Sequence, residues 1–188
     1  METIEAGIRS KRLTLRPVER RDAARIIEAL GDYDLARNLA TVPHPYPAKS
    51  FEDFLARHEA RGSSSRPFVI LERDVVGMIG LSDILRDETN AVATIGYWVA
   101  KPFWGRGFAT EAGGALVEHA FSTLGFTALK SGHFKDNPAS GRVLAKLGFR
   151  YTGESKRHSL ARGEEVAHID VLLTRGDWEA RKLIFAAK

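Results

Sequence analysis

The stretch Trp98-Val99-Ala100-Lys101-Pro102-Phe103-Trp104-Gly105-Arg106-Gly107-Phe108-Ala109-Thr110-Glu111-Ala112 constrains this chain more than any other. It reads as a strand, a breaker, a glycine-rich turn and the opening of a helix. Gly105 and Gly107 let the backbone come close to a ligand, and the helix aims its unpaired N–H groups and positive dipole end at the same point. Such a turn predicts a phosphate site. Two nucleotide motifs that use one are excluded. A Walker loop needs Gly-Lys followed by Ser or Thr, where this chain has Gly107-Phe108, and a dinucleotide fingerprint needs a third glycine, where this chain has Thr110. What remains is a pyrophosphate held by backbone amides around Arg106 to Thr110, without a metal.

The elements around this turn follow from periodicity and breakers. Leu13 and Leu15 alternate with Arg12, Thr14 and Arg16 in a first strand ended by Pro17. Asp22 begins or caps a helix that buries Ile26, Ile27 and Leu30 and stops at Gly31, and a short helical segment follows near Leu35 to Leu39. Pro43 to Pro47 is a stiff loop. Ser50 and Asp53 resemble a capping box for a helix to about Arg61, with Phe51, Phe54, Leu55 and His58 inward and Gly62 ending it. Pro67 to Glu72, Val75 to Leu81 and Val92 to Val99 read as a three-strand antiparallel meander, turning at Arg73-Asp74 and at Asp87 to Asn90. A helix from about Gly107 to Thr123 contains Gly113 and Gly114, which together cost roughly 2 kcal/mol against alanine, so a close neighbour is expected, most simply the sheet. Thr127 to His133 is a strand, Pro138 to Leu147 a helix stopped at Gly148, and Phe149 to Leu160 with Glu165 to Leu173 a hairpin; a helix closes the chain. The expectation is a mixed α/β sheet of about seven strands flanked by helices, forming one domain over residues 1–188.

Composition narrows the function classes. With no cysteine among 188 residues there are no disulfides, thiolate ligands or thiol nucleophiles. The sequence shows neither a charged-then-apolar leader nor a run of 18 apolar residues, so no membrane role is expected and a cytoplasmic location is. The formal net charge is +4, which permits nucleic-acid binding, yet the basic residues are spread along the chain with no arm or cluster, and an anionic small ligand explains the balance as well; nucleic acid is not the expected partner. His44, His58 and His133 share no metal-ligand spacing.

Gly96-Tyr97-Trp98-Val99, the run from Trp104 to Ala112, Asn137-Pro138-Ala139-Ser140 and Lys146-Leu147-Gly148-Phe149 together resemble the GNAT superfamily of N-acetyltransferases. Within it the chain is most similar to the ribosomal-protein alanine N-acetyltransferases of the RimJ and RimL type, from Arg12 to Trp178. The resemblance implies acetyl-CoA as co-substrate. The pyrophosphate then lies on the amides of Gly105 to Thr110, so that Trp104, Gly105, Arg106, Gly107, Phe108, Ala109 and Thr110 are cofactor-binding. The pantetheine arm pairs with the strand at Tyr97, Trp98 and Val99, which splays from its neighbour, with Gly96 as the place where a bulge starts the opening. Asn137 hydrogen-bonds the arm, and the Val99 N–H faces the developing oxyanion. Leu144 stands where many superfamily members carry a tyrosine that protonates the leaving thiolate, and Ser140 is the candidate to take that role as donor or relay.

Acetyl transfer also needs a neutral amine. The base must be a carboxylate, a histidine or a water chain near the splay; Asp83, on the edge of its strand, and Glu72, at the end of its own, are the candidates without a motif, with Asp83 preferred. Glu111, in the first turn of its helix, is explained by the dipole. Lys135, Arg142 and Lys146 are cations within reach of a 3′-phosphate or solvated helix charges. The acceptor expected is an amine, either a protein N-terminus or a small molecule such as a polyamine, served by a monomer or homodimer. The alternative is a non-catalytic acyl-CoA-binding module.

Overall fold

The computed structural model describes residues 7–60 and 65–186. Its elements are β1 (Ile8–Arg9), β2 (Thr14–Pro17), α1 (Ala23–Leu30), α2 (Tyr33–Ala36), α3 (Ala48–Glu59), β3 (Arg66–Leu71), β4 (Val75–Arg86), β5 (Ala91–Val99), α4 (Phe108–Ser122), β6 (Ala128–Phe134), α5 (Pro138–Leu147), β7 (Arg150–Ser159), β8 (Glu164–Thr174) and α6 (Arg175–Ala186). The strands form one eight-stranded sheet in the order β1-β2-β3-β4-β5-β6-β8-β7. Adjacent strands run antiparallel except β5 and β6, which are parallel and joined by the α4 crossover. The expected mixed α/β sheet is this one, and the strand beyond seven is the two-residue β1. Among the described residues no helix is long and apolar enough to cross a membrane.

Alternation decides which side of the sheet each residue serves. Ile79, Ile95, Leu129, Val171 and Leu173 face α4 and α5, burying Leu116, Phe121, Leu144 and Leu147 in the larger core. Val69, Met78 and Trp98 point the other way, onto Ile26, Leu30, Phe51 and Leu55 of α1 and α3. Helices α1 to α3 pack on the β2–β5 half of that second face. Hence Trp98 and Tyr97, adjacent on β5, serve opposite faces.

Several local expectations are corrected. Ser50 caps nothing: α3 starts two residues earlier, with Pro47 as its cap residue, and Asp53 is drawn to Lys49 at 2.9 Å instead. The expected stop of this helix at Gly62 lies outside the described residues. Asp22 does head α1, in a capping box with Glu19, and its buried carboxylate is held by Arg16 at 2.7 Å. Strand β4 continues to Arg86 because its register shifts between Ser82 and Leu85, around Asp83 at φ 50°. A bulge absorbs the extra residues, which a scan for strict alternation reads as a strand end.

Gly113 is approached not by the sheet but by α5: a Cβ there would lie 2.6 Å from Leu147 Cδ1. Gly114 faces open space, with nothing within 4 Å of its would-be Cβ. Gly114→Ala should therefore raise stability by about 1 kcal/mol, the usual helix-interior gain. Gly113→Ala should gain less or lose, because Leu147 must move. Thermal unfolding of the two variants side by side checks the order.

Candidate active site at the parting of two strands

Strands β5 and β6 pair only through Val92↔Ala128, Ala93↔Leu129 and Thr94↔Lys130. One residue further, Ser131 Oγ still donates to the Ile95 carbonyl at 2.9 Å. Beyond that point β5 stays with β4 to Val99↔Gly77, and β6 stays with β8 to Phe134↔His168. In an antiparallel pair successive residues aim their backbone groups alternately at the partner and away from it. The Ala100 amide bonds to Val76 on the β4 side, so Ile95, Tyr97 and Val99 turn theirs toward the gap. Two contacts agree: Ser131 takes the Ile95 carbonyl, and Trp104 Nε1 donates to the Val99 carbonyl at 2.6 Å. The amides of Tyr97 and Val99 thus present a short sheet edge to an added extended chain. Gly96 does not bulge; it pairs regularly with Gly80, and the bulge lies in β4.

The glycine turn closes one end of the gap. Gly105 and Gly107 have φ of 75° and 79°, in the left-handed region that side chains disfavour, and Gly107 is the cap residue of α4. Nothing lies within 4 Å of a Cβ built on Gly105, so the requirement there is backbone conformation rather than packing. The first-turn amides, from Phe108 to Thr110, have no intrahelical acceptor and face the same place. This cradle of exposed donors fits a pyrophosphate.

The turn is tied down from behind. Arg12 Nη2 donates to the Arg106 carbonyl at 3.1 Å, and Arg12 Nε to Glu111 Oε2 at 2.7 Å. The Arg12 amide and the Ser10 hydroxyl donate to Glu111 Oε1 at 2.6 and 2.8 Å. Burial pushes the Glu111 carboxyl up, but the bonds from Arg12 and Ser10 outweigh it and hold it below the usual range. Glu111 is therefore a tie between the turn and the β1–β2 loop, beyond its place at the helix dipole. Arg12 has no local sequence signal for this role, because its partners lie 94 to 99 residues away.

Helix α5 lines the gap from the α4 side. Asn137 caps it, its side chain accepting from the Ser140 amide at 3.2 Å, which leaves Nδ2 as the group to meet a ligand. Tyr97 reaches across from β5, its hydroxyl 2.8 Å from Ser140 Oγ. Burial pushes the Tyr97 phenol up to about 12, against the smaller opposing effect of Ser140, so it stays protonated. A phenol thus reaches α5 from another element, while Leu144 of that helix is buried in the core. Sequence spacing cannot reveal that pairing, since it joins residues 43 apart.

Other candidates are not brought to this pair. Asp83 sits exposed in the β4 bulge, beside Ser82 Oγ at 3.3 Å, on the far side of the Ser82↔Thr94 pairing from the gap. Glu72 is exposed at the β3–β4 turn. Lys135 is drawn to Glu154 at 3.0 Å, whereas Arg142 and Lys146 are exposed on α5. His133 packs under Gly141 of α5, with Nδ1 2.8 Å from the Phe134 carbonyl.

The family model for the acetyltransferase (GNAT) domain matches residues 12–150. The chain belongs to the GNAT acetyltransferases. It is 26% identical over 179 residues to a putative ribosomal N-acetyltransferase, YdaF, of Bacillus subtilis, covering 92% of this chain and 97% of that one. It is 28% identical over 107 residues to the ribosomal protein uS5-alanine N-acetyltransferase of Escherichia coli, covering 57% and 55%. Its structure resembles Mycobacterium smegmatis RimJ, solved in complex with CoA-disulfide, with a TM-score of 0.79 at 28% identity over 97% of this chain and 93% of that one. The likeness to the ribosomal-protein branch therefore holds at the level of sequence and of fold, and the chain is an acyltransferase.

For this GNAT chain, Gly107→Val should abolish CoA binding in calorimetry while the fold persists, since the strain of a side chain at positive φ is about 1–2 kcal/mol. Retained micromolar affinity would sink the anion site. Glu111 is a depressed carboxyl, so its stabilisation is present above the ordinary carboxylate pKa and fades as pH falls through its lowered one. Glu111→Gln should accordingly cost stability at neutral pH and narrow the gap to the parent in acid, read by urea unfolding at both.

Proposed function

We propose that this chain is an acetyl-CoA-dependent N-acetyltransferase that moves an acetyl group directly to a primary amine in a ternary complex. The observation that carries this is the parted β5–β6 edge running into the Gly105–Gly107 turn. In this reading residues 1–188 act as one domain. The bound co-substrate supplies an activated acyl thioester; no metal is called for, and the absence of cysteine favours direct transfer over an acylated enzyme.

The roles follow from direction and distance. Amides from Gly105 to Thr110 hold the pyrophosphate, with Trp104, Arg106, Phe108 and Ala109 shaping the turn. The edge of Tyr97 and Val99 hydrogen-bonds the pantetheine arm as an added strand, joined by Asn137 Nδ2, while Trp98 between them turns its backbone groups to β4. In this reading the Val99 N–H, which faces the gap, stabilises negative charge on the reacting carbonyl oxygen. Ser140, whose hydroxyl meets that of Tyr97, returns a proton to the departing sulfur. A serine hydroxyl alone is a weak acid, and a phenol hydrogen-bonded to it shortens the relay. Asp83, the carboxylate that the sequence offers for the amine, stays in the β4 bulge away from the gap and has no role in this reading.

The relatives point to acceptors. One acetylates an alanine of a ribosomal protein by name, so a protein N-terminal amine is the first acceptor proposed, with a polyamine as the small-molecule alternative.

Ser140→Ala should lower kcat by about tenfold or more with CoA affinity unchanged, and Tyr97→Phe should lower it less. Release of free thiol from acetyl-CoA, with alanine-terminated peptides and spermidine as acceptors, measures both. Tight CoA binding with no acetylated product from any acceptor would favour the non-catalytic binder.

A further inference from the structure

The far face of the gap carries a histidine–carboxylate pair that none of the roles above uses. The β5–β6 register, carried on from Thr94↔Lys130 past the Ser131–Ile95 bond, sets Gly96 opposite Gly132 where the strands part. Neither has a side chain, and both alternate onto the face of Trp98 and Phe134, away from α4 and α5. Gly96 has nothing within 4 Å of its would-be Cβ. At Gly132 that space is filled: a Cβ would lie 2.2 Å from Cε1 of His168 and 2.8 Å from its Nε2. The imidazole therefore lies across the β6 backbone at the mouth of the gap. The glycine is what lets it do so.

His168 is held there by Asp170 and Phe134, each backed by an arginine. Its Nδ1 is 3.1 Å from Asp170 Oδ1, on the same strand and face. Phe134 meets the ring edge-on at 6.0 Å, and Arg162 from the β7–β8 turn covers Phe134 in turn, 5.0 Å from its centroid. Arg157 of β7 is 3.6 Å from Asp170, and His133 lies beneath on the opposite face. Burial keeps His168 below the ordinary imidazole pKa, with Asp170 opposing and the charges of Arg157 and His133 adding to the lowering. Asp170 is an anion at neutral pH: burial pushes its carboxyl up, and the bonds it accepts together with Arg157 hold it below the usual range. An ionised Asp170 makes Nδ1 the protonated nitrogen, which leaves the Nε2 lone pair free.

We propose that His168, oriented by Asp170, is the group that takes the proton from the acceptor amine. This rests on the acetyltransferase reading above. As the amine lone pair forms the N–C bond to the thioester carbonyl carbon, the C–S bond breaks. The nitrogen's proton passes through water in the gap to Nε2 of His168, because the register sets Gly132 opposite Gly96, three residues short of Val99, and the sulfur takes its own from the Ser140–Tyr97 side. Proton uptake and proton delivery then occupy opposite faces of the sheet, and the gap is the passage between them. Asp170 is a positioning residue, acting through the imidazole.

The test compares the wild-type chain with His168→Gln, Asp170→Asn and Asp83→Asn, using acetyl-CoA with alanine-terminated peptides and spermidine from about pH 5 to pH 9. The wild-type rate should fall as pH drops through the His168 pKa. His168→Gln should lose about a hundred- to ten-thousand-fold in kcat/KM for the amine and lose that acid limb, while CoA affinity and melting temperature stay near the parent's. Asp170→Asn should lose less and shift the limb, and Asp83→Asn should leave it in place. An independent readout is the imidazole's own NMR signal: in the wild-type chain without ligand it should show the Nδ1–H tautomer, and in Asp170→Asn that preference should relax. Unchanged rate and limb in His168→Gln, loss of the limb in Asp83→Asn instead, or an Nε2–H tautomer in the wild type each overturn the assignment while leaving the acetyltransferase reading intact. Tight CoA binding without turnover of any amine by the wild-type chain overturns that reading, and this role with it.

Discussion

The candidate site depends on the β5–β6 pairing ending after Thr94↔Lys130. A sheet edge is normally a liability, because it offers unpaired N–H and C=O groups to any passing strand. Here an edge is made inside the sheet. Past that point each strand stays paired on its other side, β5 with β4 and β6 with β8, so the opening does not unravel either half. The crossover helix α4 leaves from the end of β5 and enters β6 at its start, which puts the helix N-terminus at the wide end of the gap and Ser131 at the narrow end. Donors for an anion and donors for an extended chain are aligned by that one loss of register.

The polar contacts around the gap do more for position than for stability. Arg12 and Glu111 are 45% and 17% exposed, and a pair of that kind contributes about 0–1 kcal/mol. Its value is that it joins the β1–β2 loop to the turn, so that the amides keep their direction without a bound ligand. Arg16 with Asp22 is the contrast. Asp22 is only 3% exposed, and removing Arg16 would strand a buried carboxylate at about 3–5 kcal/mol. The first pair holds a site, while the second holds the first helix to the sheet.

What was legible in the sequence was local. Gly105, Gly107 and the alternating run from Ala91 to Ile95 announce their conformations through nearest neighbours, and Asn137-Pro138 with Gly148 brackets α5 to the residue. The ribosomal-branch resemblance was readable from motifs within single elements. What failed had a distant cause. Gly96 looked like the origin of a bulge, yet its lack of a side chain clears the opposite face, and the bulge lies in β4. Gly113 looked like a contact with the sheet, and the contact is Leu147 of α5. His168 carried no signal at all. A histidine two residues before an aspartate on a strand is unremarkable until Gly132, 36 positions earlier, is set beneath it.

The same distinction explains why donor and acceptor differ in readability. The donor site is made of backbone, which any sequence supplies once the turns and strand ends are fixed, so a few glycines and caps suffice to mark it. The opposite face is bounded by contacts between remote segments. Arg162 holds Asp136 at 2.7 Å and the Arg37 carbonyl at 2.8 Å, while the Leu160 amide bonds to Ala40, fastening the β7–β8 turn to the chain after α2. Those links hold the β7–β8 turn in place, and with it Arg162 over Phe134 beside His168. An arginine 125 residues from the carbonyl it grips leaves no periodicity to read. In the acetyltransferase reading, substitutions at Arg37, Asp136 or Arg162 loosen the tie between these two loops and should change which amine is used before they change whether CoA binds.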